Sequence, residues 1–194
     1  MKSHRQSTQA LRVIGGQWRS RRLEFPGLPG LRPTPDRVRE TLFNWLAPVL
    51  PGARCLDLFA GSGALGIEAL SRGAAEVVFV ERQPRAVHAL RDNLDRLSVS
   101  NARVDQFDAL AWLRSPGTPF DIVWLDPPFS ENLLEPACAL LEQGGWLATM
   151  AWIYLEIQAD QPRPPLPAHW TFHREKTAGR VAYRLVRRDL LLSL

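Results

Sequence analysis

The sequence predicts an α/β protein with a mostly parallel sheet that ends in an antiparallel pair of strands. From residue 54 onward, short apolar strand patterns alternate with helical patterns, which is typical of a parallel sheet covered by helices on both faces. A glycine-rich turn follows the first of these strands. The last two strand patterns, 169–174 and 180–187, are separated by a short turn containing Gly179, and such a connection requires antiparallel pairing.

The amino-terminal region is predicted to be a basic extension of the main domain. Residues 1–10 are polar and are expected to be disordered. Residues 11–23 are predicted to form a hairpin, with apolar positions on both sides of Gly15 and Gly16. Residues 26–33, rich in glycine and proline, are predicted to be a loop. The predicted organisation is a tail (1–10), a basic hairpin and loop (11–33) and a main domain (34–194).

A helix is predicted to open the main domain. Thr34 is the predicted N-cap, Pro35 suits the first helical position, and Asp36 favours the positive end of the helix dipole. From Val38 onward, apolar residues at helical spacing form one stripe, and the helix should end before Pro51.

Five further strands are predicted between this helix and the terminal pair. Each is a short apolar run, and the run FDIVWL is the clearest. The predicted strands are 55–59, 76–81, 103–107, 120–125 and 153–157. The helices between them are predicted to end near residue 72 and to span 84–97 and 131–142.

Composition excludes several classes of protein. Hydrophobic residues make up 45% of the 194 residues and charged residues 23%, so the chain is not mostly disordered. No apolar run approaches the roughly 20 residues that span a bilayer, and the amino terminus lacks the apolar stretch of a secretory signal. No Cys/His cluster has zinc-ligand spacing, and the two cysteines, Cys55 and Cys138, are expected to be reduced and buried. We therefore expect a cytoplasmic protein without membrane contact or a metal.

The net charge of +4 is unevenly distributed along the chain. Residues 1–54 carry ten basic side chains against three acidic ones, whereas the remaining residues carry fourteen against seventeen. A basic segment joined to a mildly acidic body indicates a polyanion contact near the amino terminus. A solvated, charged arm is the alternative interpretation of the same composition.

A glycine motif follows the first strand of the main domain. Gly61 to Gly66 reads G-x-G-x-x-G, and Glu81 lies 20 residues after Gly61, at the end of the second strand. In isolation this pattern is a dinucleotide fingerprint, with Glu81 on the ribose hydroxyls. Asp57, however, places a carboxylate where a pyrophosphate would approach and be repelled. S-adenosylmethionine, with a sulfonium, an ammonium and a ribose, would be attracted there instead; the remaining alternative is a turn whose glycines serve packing alone.

A second motif, Asp126-Pro127-Pro128-Phe129, follows the strand at 120–125. Two prolines remove two N–H donors and fix the backbone, so the Asp126 carboxylate and nearby carbonyls form a rigid group of acceptors. A planar amine held between those acceptors, with its ring stacked on Phe129, would have its lone pair directed outward. A turn that merely ends the strand is the other interpretation.

Asp108 and Ala109 follow the strand at 103–107, where they could contact an adenine amino group, although Asp is also a common helix cap. The complete set of predicted cofactor-binding residues is Asp57, Phe59, Gly61, Gly63, Glu81, Arg82, Asp108 and Ala109.

Several segments resemble known enzymes. DLFAGSGALGIEAL, with Glu81 and DPPF, resembles class I S-adenosylmethionine-dependent methyltransferases that modify exocyclic amino groups. The segments RVIGGQWRSRRLEFP, RPTPDRVRETLFNWL and HREKTAGRVAYRL resemble the RsmD family of 16S rRNA guanine-N2 methyltransferases. This resemblance covers about residues 11–187, and its amino-terminal part is the discriminating one, because the cofactor and DPPF motifs also occur in DNA adenine methyltransferases.

The resemblance implies a seven-stranded Rossmann-like sheet with an antiparallel last strand, and an amino-terminal hairpin extension that contacts RNA. It implies S-adenosylmethionine as cofactor and S-adenosylhomocysteine as product. The implied reaction is methylation of a guanine N2, of the guanine-966 type, in the small ribosomal subunit or its assembly intermediate. The implied enzyme is a monomer without a metal. The implied catalytic residues are Asp126, Pro127, Pro128 and Phe129. The implied RNA-contacting residues are Arg12, Arg19, Arg21, Arg22, Arg32, Thr34, Arg37 and Arg39.

Three other functions would use parts of the same sequence pattern. A DNA adenine-N6 methyltransferase would use the same DPPF motif, but the chain leaves no room for a separate DNA-recognition domain. An NAD(P)-linked oxidoreductase would use the glycine motif, but it needs a proton donor such as a Tyr-x-x-x-Lys pair, which the sequence lacks. A non-catalytic RNA-binding module would not require Asp57, Glu81 and Asp126 together.

Overall fold

The computed structural model describes residues 8–28 and 33–190, which form two sheets and five helices. The strands are β1 (Thr8–Arg12), β2 (Arg22–Pro26), β3 (Arg54–Asp57), β4 (Glu76–Glu81), β5 (Ala102–Gln106), β6 (Phe120–Leu125), β7 (Leu147–Gln158), β8 (Trp170–Ala178) and β9 (Val181–Asp189). The helices are α1 (Asp36–Leu46), α2 (Ala64–Ser71), α3 (Pro84–Arg96), α4 (Ala109–Trp112) and α5 (Leu134–Gln143).

The main sheet has seven strands in the order β5-β4-β3-β6-β7-β9-β8. Its first five strands are parallel, and β9 runs antiparallel to both of its neighbours, β7 and β8. The predicted α/β class and the antiparallel terminal pair are therefore confirmed. The chain builds outward from β3 to β5 and then returns to place β6 on the other side of β3, so the strand order reverses between β3 and β6. Ligands of open parallel sheets bind at the carboxyl ends of the strands at such a switch point.

The central strands β3, β4 and β6 are buried on both faces, which explains their continuous apolar runs. Successive residues of a strand point to opposite faces. Ile122 and Trp124 of β6 therefore pack in one core with residues of α1, α2 and α3. Val123 and Leu125 pack in a second core with residues of α4 and α5. None of the helices in the described ranges is long and apolar enough to cross a membrane.

The amino-terminal hairpin differs from its prediction in both extent and turn. Disorder was expected through residue 10, but β1 begins at Thr8; residues 1–7 lie outside the described residues. The two strands pair around Leu11 and Leu23, and residues 13–21 connect them, so the predicted tight turn at Gly15 and Gly16 is wrong. These glycines instead lie against α2, and this tertiary contact is not visible in local sequence.

The predicted N-cap of α1 is also wrong. The helix begins at Asp36, with Pro35 at the cap position and no capping hydrogen bond from a side chain. The Thr34 side chain is buried and forms a hydrogen bond with Asp126 instead of capping the helix. At the other end, α1 stops at Leu46, several residues before Pro51.

Two further boundaries differ for identifiable reasons. The predicted helix 131–142 is divided, because Phe129–Glu131 forms a 3-10 turn and Asn132 adopts a left-handed conformation (φ 50°) before α5 begins. Strand β7 is longer than the predicted 153–157, because it pairs with β9 from Met150 to Gln158. Strands β4 and β6 have the predicted bounds.

Candidate active site

Four acidic side chains come together at the carboxyl edge of the sheet. Asp57 ends β3 and Glu81 ends β4, while Asp126 directly follows β6. Glu156 lies near the end of β7, which is the neighbour of β6. The first three were predicted from the sequence, and Glu156 was not.

The turn after β3 is held by main-chain geometry and by Asp57. Gly61 and Gly63 have positive φ angles of 54° and 75°, which favour glycine. A Cβ at Gly66 would lie 2.1 Å from the Phe79 ring, so this glycine allows α2 to approach the sheet closely. The Gly66 amide donates a hydrogen bond of 3.0 Å to the Asp57 carboxyl. Burial raises the pKa of Asp57 to about 7, and the nearby charge of Glu81 adds to the effect.

Glu81 ties the glycine turn to the loop after β4. One of its carboxylate oxygens accepts a hydrogen bond of 2.8 Å from the Gly61 amide, and the other accepts one of 2.7 Å from the Gln83 amide. Each carboxylate oxygen has two acceptor positions. The side chain can therefore keep these contacts while accepting further hydrogen bonds from hydroxyl groups.

The other predicted cofactor residues lie along the same edge, with different partners. Asp108 caps α4, because its carboxyl accepts a hydrogen bond of 3.0 Å from the Ala111 amide. Phe107, immediately before it, is 54% exposed, an unusual value for an aromatic ring. Arg82 forms two hydrogen bonds with the carboxylate of Glu131, which lies just after the DPPF motif. Arg82 therefore links the loop after β4 to this motif.

The DPPF motif presents one half-buried acid and one accessible ring. Asp126 and Phe129 are both partly exposed, whereas Pro127 is buried and Pro128 is exposed. Phe129, the last residue of the motif, is also the first residue of a 3-10 turn. The motif therefore offers a fixed acceptor group and an aromatic surface at the switch point of the sheet.

Asp126 belongs to a buried cluster with Glu156, Tyr154 and Thr34. Leu125 and Leu155 are paired in the β6–β7 register, so the residues that follow them, Asp126 and Glu156, are neighbours. The two carboxyls are hydrogen-bonded to each other, and Thr34 bonds to both. The Tyr154 hydroxyl donates to Glu156 at 2.5 Å. Burial raises the pKa of both carboxyls, and the charge of Glu156 raises the pKa of Asp126 further.

The sequence did contain a signal for Glu156. It is a single acid inside the apolar strand pattern IYLEI, and an acid is rarely buried without a partner. The sequence could not supply the partner, because the pairing depends on β6 and β7 being adjacent.

Two predicted RNA-contacting residues are placed where they cannot contact RNA directly. Arg39 is 1% exposed, so its prediction is wrong. Its guanidinium donates to the Thr34 carbonyl at 3.1 Å and pairs with Asp36 at 2.6 Å and Glu68 at 3.4 Å. Thr34 is also buried, at 6% exposure, and its side chain bonds to the two carboxyls instead of facing solvent. Arg39 therefore positions Thr34.

The remaining predicted arginines lie on several elements. Arg32 lies outside the described residues. Arg12 and Arg22 face each other across the hairpin, and Arg12 pairs with Asp36 at 3.0 Å. Arg19 and Arg21 are exposed in the connection 13–21, which is bonded to Ser71 at the end of α2. Because α2 starts at the glycine turn and ends at Ser71, the Gln17 and Trp18 amides lie about 10 Å along the helix from that turn. Arg37 is exposed on α1.

No group of three or more His, Cys, Asp or Glu side chains in the described residues is placed to hold a metal ion. Cys55 and Cys138 are free and buried, and burial is the main cause that raises the pKa of both thiols. They are therefore packing residues in the two cores.

Known proteins are similar to this chain over most of its length. The family model for Conserved hypothetical protein 95 matches residues 11–187. Ribosomal RNA small subunit methyltransferase D of Escherichia coli (strain K12) is 55% identical, covering 92% of this chain and 90% of the relative. The protein of that name from Haemophilus influenzae is 48% identical, covering 90% and 92%. A solved Escherichia coli structure, described as a methyltransferase candidate, is 54% identical with a TM-score of 0.88, covering 93% and 99%.

Proposed function

The chain belongs to the Conserved hypothetical protein 95 family, which is the RsmD family of ribosomal RNA small-subunit methyltransferases, and from this membership we propose its reaction. It transfers a methyl group from S-adenosylmethionine to the exocyclic N2 amine of a guanine in 16S rRNA, of the guanine-966 type. The observation that carries the proposal is the position of the DPPF motif. It follows β6 at the switch point of the sheet, next to the glycine turn that follows β3.

The residues after β3 and β4 fit S-adenosylmethionine. The cofactor, when bound, supplies a methyl group on a positively charged sulfur. The left-handed Gly61 and Gly63 let the backbone approach a ligand closely. Glu81 has free acceptor positions for the ribose hydroxyls, and a cation near Asp57 would favour its ionised form. Phe59, Asp108 and Ala109 complete this edge, while Arg82 holds the DPPF segment through Glu131.

The DPPF motif prepares guanine N2 for attack. The lone pair of this amine is delocalised into the ring, which makes it a poor nucleophile. Asp126 and the Pro127 carbonyl accept the N2 hydrogens and favour a pyramidal nitrogen, which localises the lone pair. Because Pro127 and Pro128 fix the backbone, these acceptors are preorganised for the positive charge that develops on nitrogen. Alignment of the reactants contributes at most roughly 7–11 kcal/mol more.

The target guanine must leave its stack to reach this edge of the sheet. Phe129 is partly exposed beside Asp126 and replaces the lost stacking, a contact worth about 1–3 kcal/mol per base. The RNA partner is the small ribosomal subunit or its assembly intermediate. We propose that the enzyme acts on it as a monomer in the cytoplasm.

The experiment is methyl transfer from tritiated S-adenosylmethionine to small-subunit rRNA and particles from a strain lacking the enzyme. The product nucleoside is identified by mass spectrometry. Wild-type protein should form N2-methylguanosine. Asp126→Ala should lower kcat/KM by at least about 10²-fold, because it removes a preorganised acceptor. Asp160→Ala, a change of an exposed acid in the turn after β7, is the matched control and should leave the rate unchanged.

Other products would redirect the assignment. A parallel reaction with DNA as acceptor tests the alternative, and label found only in DNA adenine would identify a DNA adenine-N6 methyltransferase. Bound S-adenosylmethionine without transfer to any nucleic acid would contradict the proposed substrate. Equal rates for wild type and Asp126→Ala would contradict the role of the DPPF acid.

A further inference from the structure

We propose that Glu156 is the final acceptor of the proton that guanine N2 releases, and that Asp126 relays the proton to it. The inference rests on the proposed function and extends it from the methyl group to the proton. Methylation of an amine leaves a positively charged nitrogen, which must lose a proton to give the neutral product. The residues of the DPPF motif do not by themselves identify the final acceptor of this proton.

The strand pairing places Glu156 directly behind Asp126. The β6–β7 register pairs Leu125 with Leu155, so the next residues, Asp126 and Glu156, lie side by side. Asp126 is half-buried at the open edge, whereas Glu156 is only 5% exposed. Glu156 therefore lies on the inner side of Asp126, where it can accept a proton that Asp126 takes up on its solvent-exposed side.

The surroundings of Glu156 are arranged around an acceptor. The Tyr154 hydroxyl donates to it at 2.5 Å, and the side chains of Thr34 and Asp126 also bond to it. Burial raises the pKa of the Tyr154 hydroxyl, so this group remains a donor. Arg39, fixed by two acids, donates to the Thr34 carbonyl at 3.1 Å and thereby holds Thr34 in reach of the two carboxyls.

Asp126 is half-buried and Glu156 is buried, and two carboxyls in contact at such a site share one proton, because two adjacent negative charges with little access to water repel each other. Glu156 accepts the hydrogen bonds of the cluster, so it carries the charge, and Asp126 carries the proton. The other titratable groups that influence the pair are Asp57 from β3 and Tyr154 from β7, and Tyr183 of β9 lies behind Tyr154. Asp57 adds negative charge and so favours the shared proton further.

The relay conserves atoms and charge. One oxygen of protonated Asp126 accepts a hydrogen bond from guanine N2, while its hydroxyl donates to Glu156. After methylation, the N2–H bond breaks, nitrogen keeps the electron pair, and a new O–H bond forms on Asp126. At the same time, the original O–H bond of Asp126 breaks and its proton binds Glu156. Both carboxyls are then neutral, and one proton returns to water through the half-exposed Asp126 when the product RNA leaves.

The test compares Glu156→Gln with Glu142→Gln in single-turnover methylation of small-subunit RNA at saturating S-adenosylmethionine. Gln keeps the shape and the acceptor oxygen but cannot take a proton. At pH 7 the Glu156→Gln rate should fall about 10²-fold, as expected for loss of a proton acceptor, with unchanged KM for RNA and cofactor affinity. Glu142 is a partly buried acid paired with Arg188 on the other face of the sheet, so its variant should keep the wild-type rate.

The pH profile separates the relay from a structural role. In the wild type, activity is lost at low pH when the pair takes up a second proton. In Glu156→Gln, Asp126 must lose its own proton before it can accept one from guanine, and no neighbouring carboxyl takes up that proton. The acidic limb of the pH–rate profile should therefore move to higher pH, and the rate should recover as pH rises. A rate loss without movement of this limb, or a wild-type rate at every pH, would overturn the proposal.

Infrared spectroscopy of the unmodified enzyme tests the same proton without a Glu156 variant. At pH 7 the wild-type spectrum minus the Asp126→Asn spectrum should contain a protonated-carboxyl C=O band, while any band from Asp57 cancels; absence of this difference band would also overturn the proposal. Failure of the proposed function looks different: wild-type protein would then form no N2-methylguanosine. If wild-type protein forms this product and Glu156→Gln is equally active, only the proton relay is contradicted.

Discussion

Asp57 occupies a position that the sequence identifies, but its titration depends on the folded protein. The side chain is 4% exposed and bonded to the Gly66 amide. Burial outweighs this bond and raises its pKa to about 7, against about 3.9 in an unfolded chain. Between these values the native protein binds a proton that the unfolded chain does not, so the free energy of unfolding decreases as pH rises.

The variant Asp57→Asn should remove this pH dependence. Wild-type protein should lose stability on the order of 4 kcal/mol relative to Asp57→Asn between about pH 4 and pH 7, from a shift of about three pKa units. Urea unfolding at several pH values measures the difference. Asp160→Asn, at an exposed acid, should follow the wild-type curve. Parallel curves for wild type and Asp57→Asn would show that the native carboxyl is not protonated in this range.

At the scale of elements, local pattern predicted the elements of the main sheet better than the amino-terminal hairpin. Strands β4 and β6 have the predicted bounds, because their apolar runs are flanked by charged or turn residues. The turn of the hairpin was misplaced because Gly15 and Gly16 look like a local turn signal. The Gly15 amide instead donates to Glu68, and the backbone of Gly16 lies against Ser71, so both glycines contact α2 more than fifty positions along the chain.

The substitution Gly16→Ala tests this docking against a matched glycine. Gly16 and Gly52 have nearly the same φ, 76° and 78°, so alanine is strained equally at both. A Cβ at Gly16 would lie 1.8 Å from the Ser71 carbonyl oxygen, whereas at Gly52 nothing lies within 4 Å. Gly52→Ala should cost about 1–2 kcal/mol, and Gly16→Ala about 1–3 kcal/mol more, because the backbone must shift.

Urea unfolding of the two variants measures this difference. Hydrogen exchange should also become faster at the Gln17 and Trp18 amides of Gly16→Ala, since both donate to Ser71. Equal destabilisation by the two substitutions would mean that the connection 13–21 is not held against α2.

For the whole molecule, the sequence predicted those residues of the candidate site that lie at the ends of individual strands. Asp57, Glu81 and Asp126 each end or follow a strand, so strand order alone brings them to one edge. Glu156 and Thr34 join the site through the β6–β7 register and through the path of the chain before α1. Such contacts between distant elements leave no local pattern, and for the same reason Arg39 was mistaken for a surface residue.

The fold also divides the basic amino-terminal segment into two groups. Arg12, Arg22 and Arg37 are exposed on β1, β2 and α1, and Arg12 pairs with Asp36 at the start of α1, close in sequence to Thr34. Arg19 and Arg21 lie in the connection 13–21, whose Gln17 and Trp18 amides donate to Ser71 at the end of α2. If the RNA lies along this whole face, the second group contributes to binding but not to chemistry.

The double variant Arg19→Gln/Arg21→Gln tests how far the RNA extends. Each lost phosphate contact should reduce the slope of log K against log salt by about 0.7 for single-stranded RNA, so the double variant should lose about 1.4. Its kcat at saturating RNA should remain unchanged, because both arginines lie in the connection 13–21 and not among the residues at the carboxyl edge of the sheet. Arg103→Gln/Arg114→Gln is the matched control, since both residues are exposed on β5 and after α4. An equal change of slope in this control would show that the slope follows net charge and not contacts of Arg19 and Arg21, and an unchanged slope in the first variant would exclude RNA contacts by these two arginines.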